Sequence, residues 1–214
     1  MPGIVIPKQF LYYRNLSNHG ELKNKIMSEI SKLDSKYKDV TSGVENAHTS
    51  YQTKDPLEMK EDNKFLVEDY IIKSVVSDTI QELSEYMDEV NFLPKPQYKH
   101  LNVDNAWYTR YDKHGSFDFH THYLQTRLSD NMMHDSLYSI IYILNDPNEK
   151  NSTVFACPEN VYLPNLNTTT IDTSCFGDIK EGSVLIFPST FLHKVEKIEL
   201  PGRITISYNI SGVR

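Results

Sequence analysis

Cysteine is scarce in this chain: its 214 residues include only Cys157 and Cys175. Two cysteines without a ligand-like spacing make neither a disulfide scaffold nor a zinc knuckle. Both read as free thiols of a reducing compartment, with a single bridge between them as the other reading. Long apolar runs are missing as well. No stretch approaches the roughly 20 residues that a membrane-crossing helix needs, and Met1 to Phe10 lacks the charged start and apolar centre of a signal peptide. These absences predict a cytoplasmic protein with no membrane partner. Positive charge is in deficit, with 22 Lys and Arg against 29 Asp and Glu and a net charge of -7. That balance argues against nucleic acid, whose binding rests on basic contacts to phosphate. There is no G-x-S-x-G turn, and no histidine is motif-paired with either cysteine, which argues against a serine or cysteine hydrolase.

What is present is a composition of 39% apolar and 24% charged residues, that of a globular chain. Its length suits one domain, 1–214, with a sizeable core. The pattern changes near residue 100. Before it, Leu22, Ile26, Ile30, Leu33 and Tyr37 recur at helical spacing after Ser17 or Asn18 as N-cap. Phe65, Leu66, Ile72, Val75, Val76, Ile80, Leu83, Met87 and Val90 form a second helical stripe that stops before Pro94 and Pro96. The polar segment Thr41 to Asp62 between them reads as a loop. After it, Trp107–Tyr111, Leu137–Leu144, Thr153–Cys157, Thr168–Thr173, Ser183–Phe187 and Arg203–Ile210 read as short strands. Helices in 1–100 supporting a sandwich or barrel in 101–214 make an α+β fold, with the helices packed on one sheet face.

The chemistry concentrates in the second half. His120 and His122 are two apart, so on a strand they share one face. Asp118 shares that face and is a reserve ligand. His193 follows an apolar segment, Phe187-Pro188-Ser189-Thr190-Phe191-Leu192, that would bury it. Neutral imidazole is the commonest ligand of first-row metals, so the three histidines suggest a metal site. His114 and His134 read as loop residues. Alternation over Arg203 to Ile210 puts Arg203, Thr205, Ser207 and Asn209 on one face and Ile204, Ile206, Tyr208 and Ile210 on the other. The isoleucine face is a core face. The polar face either meets solvent or lines a cavity where Arg203 grips a carboxylate with two parallel hydrogen bonds.

These segments resemble the 2-oxoglutarate- and Fe(II)-dependent oxygenases, and most of all their prolyl-hydroxylase-like bacterial and phage members. The likeness covers roughly residues 104 to 210. It rests on Asn105-Ala106-Trp107-Tyr108-Thr109-Arg110-Tyr111, Gly115, Phe119-His120-Thr121-His122, Ser139-Ile140-Ile141-Tyr142-Ile143-Leu144, Ile179 to Pro188 with His193, and Arg203 to Asn209. The resemblance implies a double-stranded β-helix, a cupin-like jelly roll with the metal at its open mouth. It implies Fe(II), 2-oxoglutarate and O2, with His120 and His193 as iron ligands. It also implies Arg203 and Thr205 at the distal carboxylate of 2-oxoglutarate, Tyr111 facing the co-substrate, and Tyr142 as a further candidate there. The superfamily's common motif is His-x-Asp/Glu; here His122 stands at the carboxylate position, so either His122 or Asp118 completes the set. The implied reaction is hydroxylation of a peptidyl or amino-acid C–H bond, with a small molecule or peptide as partner. Arg127 to Asp135 and Glu159 to Asn167 are expected to flank the mouth. Oligomeric state is not set by the sequence, and a homodimer is compatible with it. Two rival readings are a three-histidine cupin dioxygenase needing no 2-oxo acid and a non-catalytic jelly-roll binding protein.

Overall fold

A computed structural model describes residues 10–33, 44–51, 56–90, 100–122, 125–127, 133–148, 153–156 and 170–213. The chain opens with strand β1 (Tyr12–Asn15) and helix α1 (His19–Leu33). Then come β2 (Val44–Thr49), α2 (Pro56–Asp62), a 3-10 turn at Lys64–Val67, α3 (Asp69–Ile71), a π-helical segment at Ile72–Ser77 and α4 (Asp78–Glu89). The second half is nearly all strand: β3 (His100–His120), β4 (Gln125–Arg127), β5 (Met133–Asn145), β6 (Thr153–Ala156), β7 (Thr170–Asp172), β8 (Ser183–Pro188), β9 (His193–Val195) and β10 (Arg203–Val213).

The strands form one antiparallel, curled sheet in the order β1-β8-β5-β10-β3-β9-β6-β7, with β2 added to β3 and β4 to β5. Strand neighbours far apart in sequence are the mark of a jelly roll. The α+β double-stranded β-helix expected from the sequence is the observed architecture. Each face of the sheet carries its own core. On one side Leu22, Ile26 and Ile30 of α1, with Val75, Val76 and Leu83 from the second helical run, pack on Tyr108, Ile140, Tyr142, Ile186, Ile206 and Tyr208. Burial of each such aliphatic side chain stabilises the fold by about 1.5–3 kcal/mol. The opposite face curls around Ile141, Ile143, Phe155, Leu185, Phe187 and Phe191.

The alternation expected on β10 holds. Ile204, Ile206, Tyr208 and Ile210 belong to the helix-side core. Arg203, Thr205, Ser207 and Asn209 are also buried, so the strand is enclosed on both faces and the solvent-facing reading of its polar side is excluded.

Three expectations change. Thr41 to Asp62 is not simply a loop, because it contains β2 and α2. The alternation of β2 was hidden by a register shift between Glu45 and Ala47 and by Asn46 at φ 46°. His114 lies within β3 rather than in a loop, exposed, at φ 63°, with its N–H donating to the Ile198 carbonyl at 2.8 Å. Tyr142 belongs to the helix-side core, away from the face expected of it. Tyr37, Cys157, residues 128–132 and the segment Glu159 to Asn167 lie outside the described residues, as do the side chains of His134 and the rest of the first mouth segment. Cys175 is a free, exposed thiol.

Candidate metal centre

His120 ends β3 and His193 begins β9, and the two are cross-strand partners in the antiparallel register. His122 follows just beyond β3, its backbone N–H held by the Ser189 carbonyl at 3.0 Å. The H-x-H spacing and the sheet register therefore converge the three rings. Centroids lie 4.3 Å apart for His120 and His193, 5.1 Å for His120 and His122, and 4.9 Å for His122 and His193. One candidate ligand nitrogen from each ring falls within 4.8 Å of the other two. Asp118, the reserve ligand of the sequence reading, is exposed and outside this group. Its part is played by its backbone carbonyl, which accepts from His120 Nδ1 at 2.7 Å.

His193 makes the same kind of bond, Nδ1 to the Phe191 carbonyl at 3.0 Å. A carbonyl can only accept, so Nδ1 carries the proton in both rings and the Nε2 lone pair is left for a metal. Electrostatics favours the same state. Burial lowers the pKa of His120, partly offset by the Asp118 carbonyl. Burial and then the nearby His120 push His193 down to about 3. Burial, followed by His193 and His120, holds His122 well below the ordinary range. Three neutral imidazoles facing one point form a donor set able to hold a metal ion.

The rings are held from outside by aromatics. Phe117 stacks on His120 at 3.9 Å, Trp107 lies 5.2 Å from His122, and Phe155 and Phe187 lie 5.6 and 4.9 Å from His193. Asn209, which sequence reasoning placed on the right face but gave no role, stands beside His122 and favours its protonated form. His122 Nδ1 and Asn209 Oδ1 are both buried, and neither makes a well-aligned hydrogen bond among the described residues.

The histidines form one side of a pocket whose other walls include Tyr111, Thr153, Thr205 and Ser207. Arg203 lies one layer behind that wall, fully buried. Its Nη2 donates to Thr153 Oγ1 at 3.1 Å, its guanidinium stands 5.5 Å from the Tyr111 ring centre, and its Nε is 3.6 Å from Asp146 Oδ2. Burial raises the Tyr111 hydroxyl pKa against the opposing influence of Arg203 and Thr205. The structure thus brings Tyr111, Thr205 and, at one remove, Arg203 to the same pocket as the histidines. Tyr142 is not among them. Its hydroxyl bonds His19 Nδ1 at 2.7 Å, and His19 Nε2 reaches Glu181 Oε1 at 3.2 Å. Lys23 Nζ meets the same Glu181 oxygen at 2.5 Å. This is a structural network between α1 and the sheet, and burial followed by Glu181 raises the Tyr142 pKa.

No protein-family model matches the chain, and no curated protein matches it in sequence. Solved structures do. OsALKBH1 is 16% identical and superposes with a TM-score of 0.63 over 97% of this chain and 100% of its own. A prolyl hydroxylase from Trichoplax adhaerens, solved with a fragment of the hypoxia inducible factor oxygen degradation domain, is 12% identical at a TM-score of 0.50. That match covers 93% of this chain and 82% of the hydroxylase. At such identities the likeness is one of fold, and the fold shared with these proteins is the double-stranded β-helix.

Proposed function

We propose that this protein is a 2-oxoglutarate- and Fe(II)-dependent oxygenase that hydroxylates a C–H bond of a peptide or small molecule. The observation that carries the reading is the pair of bonds from His120 Nδ1 and His193 Nδ1 to backbone carbonyls, which leaves the Nε2 of half-buried His120 and of buried His193 free beside His122. Fe(II), when bound there, supplies oxygen activation coupled to oxidation of the 2-oxo acid. His120, His122 and His193 hold the metal. Arg203 provides the charge for the distal carboxylate, while Thr205 and Tyr111 line the space between. Trp107, Phe117 and Val195 add apolar surface to the same pocket. The prolyl hydroxylase likeness in fold supports a peptide as the first substrate class to examine.

The test is calorimetric binding of 2-oxoglutarate to the Mn(II)-loaded protein, followed by succinate release with Fe(II) against peptides and amino acids. Arg203→Met should weaken 2-oxoglutarate binding roughly ten- to hundred-fold, the loss of a charge-assisted contact of about 1.5–3 kcal/mol. Unchanged binding in that variant would remove the carboxylate assignment. The all-nitrogen donor set also suits a three-histidine dioxygenase, which would consume oxygen with its substrate in the absence of any 2-oxo acid.

A further inference from the structure

Three buried polar atoms beside the metal centre make no well-aligned hydrogen bond among the described residues: His122 Nδ1, Asn209 Oδ1 and Ser139 Oγ. The sheet brings them together. Asn209 stands next to the His122 ring, and Asn209 of β10 is the direct cross-strand partner of Ser139 of β5. Both lie on the interior face, since their chain neighbours Tyr208 and Ile140 belong to the helix-side core. On its other side Ser139 is paired with Phe187 of β8, whose ring centre is 6.4 Å from that of His122. Both strand neighbours of Ser139 thus stand at that ring. Ser139 is fully buried, and the proposed reaction does not use it. Buried polar atoms are normally paired, so three left over in one place need a reason.

Counting donors and acceptors gives one. A histidine that binds metal through Nε2 keeps its proton on Nδ1. His122 Nδ1–H and the Ser139 hydroxyl are then two donors, and Asn209 Oδ1 is one acceptor with two lone pairs. One arrangement therefore satisfies all three atoms. It also answers a difference between the ligands. The carbonyls behind His120 and His193 belong to the backbone and cannot turn. A side-chain amide can. Half a turn of Asn209 would place its Nδ2 against His122, which favours a lone pair on Nδ1, a proton on Nε2 and no metal bond there. The amide needs a second contact to hold it. Resting on the metal reading of the site, we propose that Ser139 is a positioning residue. Its hydroxyl donates to Asn209 Oδ1, keeps that oxygen turned towards His122 Nδ1–H, and so leaves His122 Nε2 free as the third ligand.

The experiment uses the full-length protein and two readouts. Calorimetry gives the Mn(II) affinity. Nitrogen NMR of the metal-free protein at neutral pH shows which ring nitrogen of His122 holds the proton, its signals being assigned by their loss in His122→Gln. Wild type should hold the proton on Nδ1. Ser139→Ala should weaken Mn(II) binding by about three- to tenfold, less than the roughly 10–100-fold usual for a direct partner of a ligand. It should also move part of the His122 proton from Nδ1 to Nε2. If Ser139→Ala does not fold, Ser139→Cys takes its place, since a thiol of similar size is only a weak donor, and the same two changes are expected. Affinity at or above wild type overturns the proposal. Weaker affinity with the proton still on Nδ1 overturns it too, because a purely structural residue would give that result. If His122→Gln leaves Mn(II) affinity unchanged, His122 is no ligand, and the proposal falls while a two-histidine site stands. Wild type that binds no Mn(II) refutes the metal reading itself, and this proposal with it.

Discussion

His120 and His193 are direct partners across the antiparallel β3–β9 pair, so residues 73 apart in the chain face each other by sheet register alone. The candidate metal centre is thus positioned largely by strands, and its accuracy depends on β3 holding register from its pairing with β10 down to His120. Gly115 lies on that path. A Cβ at this position would stand 2.7 Å from the Asn46 carbonyl oxygen and 2.8 Å from that of Asp112, both backbone atoms that cannot swing aside.

Gly115→Ala should therefore disturb β2–β3 packing and, through β3, the His120–His193 register. The expected cost is that of overpacking, about 1–3 kcal/mol in urea unfolding, together with weaker Mn(II) binding. Binding and stability both at wild-type level would show that β3 tolerates the added carbon and that register is held elsewhere.

Asn209 is the outer partner available to His122, since the other two rings use backbone carbonyls that no side-chain substitution removes. Asn209→Ala should lower Mn(II) affinity by about 10–100-fold, the usual range for loss of an orienting contact to a ligand. Asn209→Asp should restore it, because a carboxylate accepts from Nδ1 at least as well. Calorimetric titration of the three proteins decides this, and equal affinities would leave Asn209 as filler.

Tyr142 is predicted to matter to folding and not to the metal or the 2-oxo acid. Tyr142→Phe removes the hydroxyl whose bond to His19 Nδ1 is half-buried and should cost about 0.5–1.5 kcal/mol of stability, the net worth of one hydrogen bond. Metal and 2-oxoglutarate affinities should match wild type. A selective loss of 2-oxoglutarate binding at unchanged stability would return this tyrosine to the pocket.

Residue parity explains why some of this was readable in the sequence and some was not. On β10, strict alternation announced both faces, and the structure keeps it from Arg203 to Ile210. On β5, Ile141 lines the pocket, so its neighbour Tyr142 must point to the helices. Matching a tyrosine to a familiar place along the chain overlooked that parity. Asp146 carried no signal because a carboxylate after a strand resembles any turn residue until its burial is known. The segment β2 stayed hidden for a local reason, the bulge at Asn46 that breaks its alternation. The second helical stripe was legible in its apolar residues, but its spacing conceals the wider π-helical turn at Ile72–Ser77, which changes the backbone bonding while Val75 and Val76 remain buried.

The three histidines also predict how the metal-free protein responds to acid. In the unfolded chain each imidazole takes a proton near pH 6.5. In the fold, burial lowers all three pKa values, to about 3 for His193. Below about pH 6.5 the unfolded state therefore binds more protons than the native state, and stability falls as pH falls. The loss approaches about 1.4 kcal/mol per pH unit for each imidazole still neutral in the fold. Above that range these residues add no pH dependence, so their stabilising contribution is fully present at neutral pH and is lost on the way down towards the folded pKa. His193→Gln removes one titrating group and should flatten the slope by up to that amount per pH unit. Bound Mn(II) requires neutral rings and should add stability at neutral pH that fades over the same acid range. Urea-unfolding free energies of metal-free wild type and His193→Gln, taken from about pH 7.5 down to about pH 4.5, measure the difference. Parallel curves would mean that His193 is as protonated in the fold as in the open chain, which contradicts its burial among Phe155, Phe187 and the other two histidines.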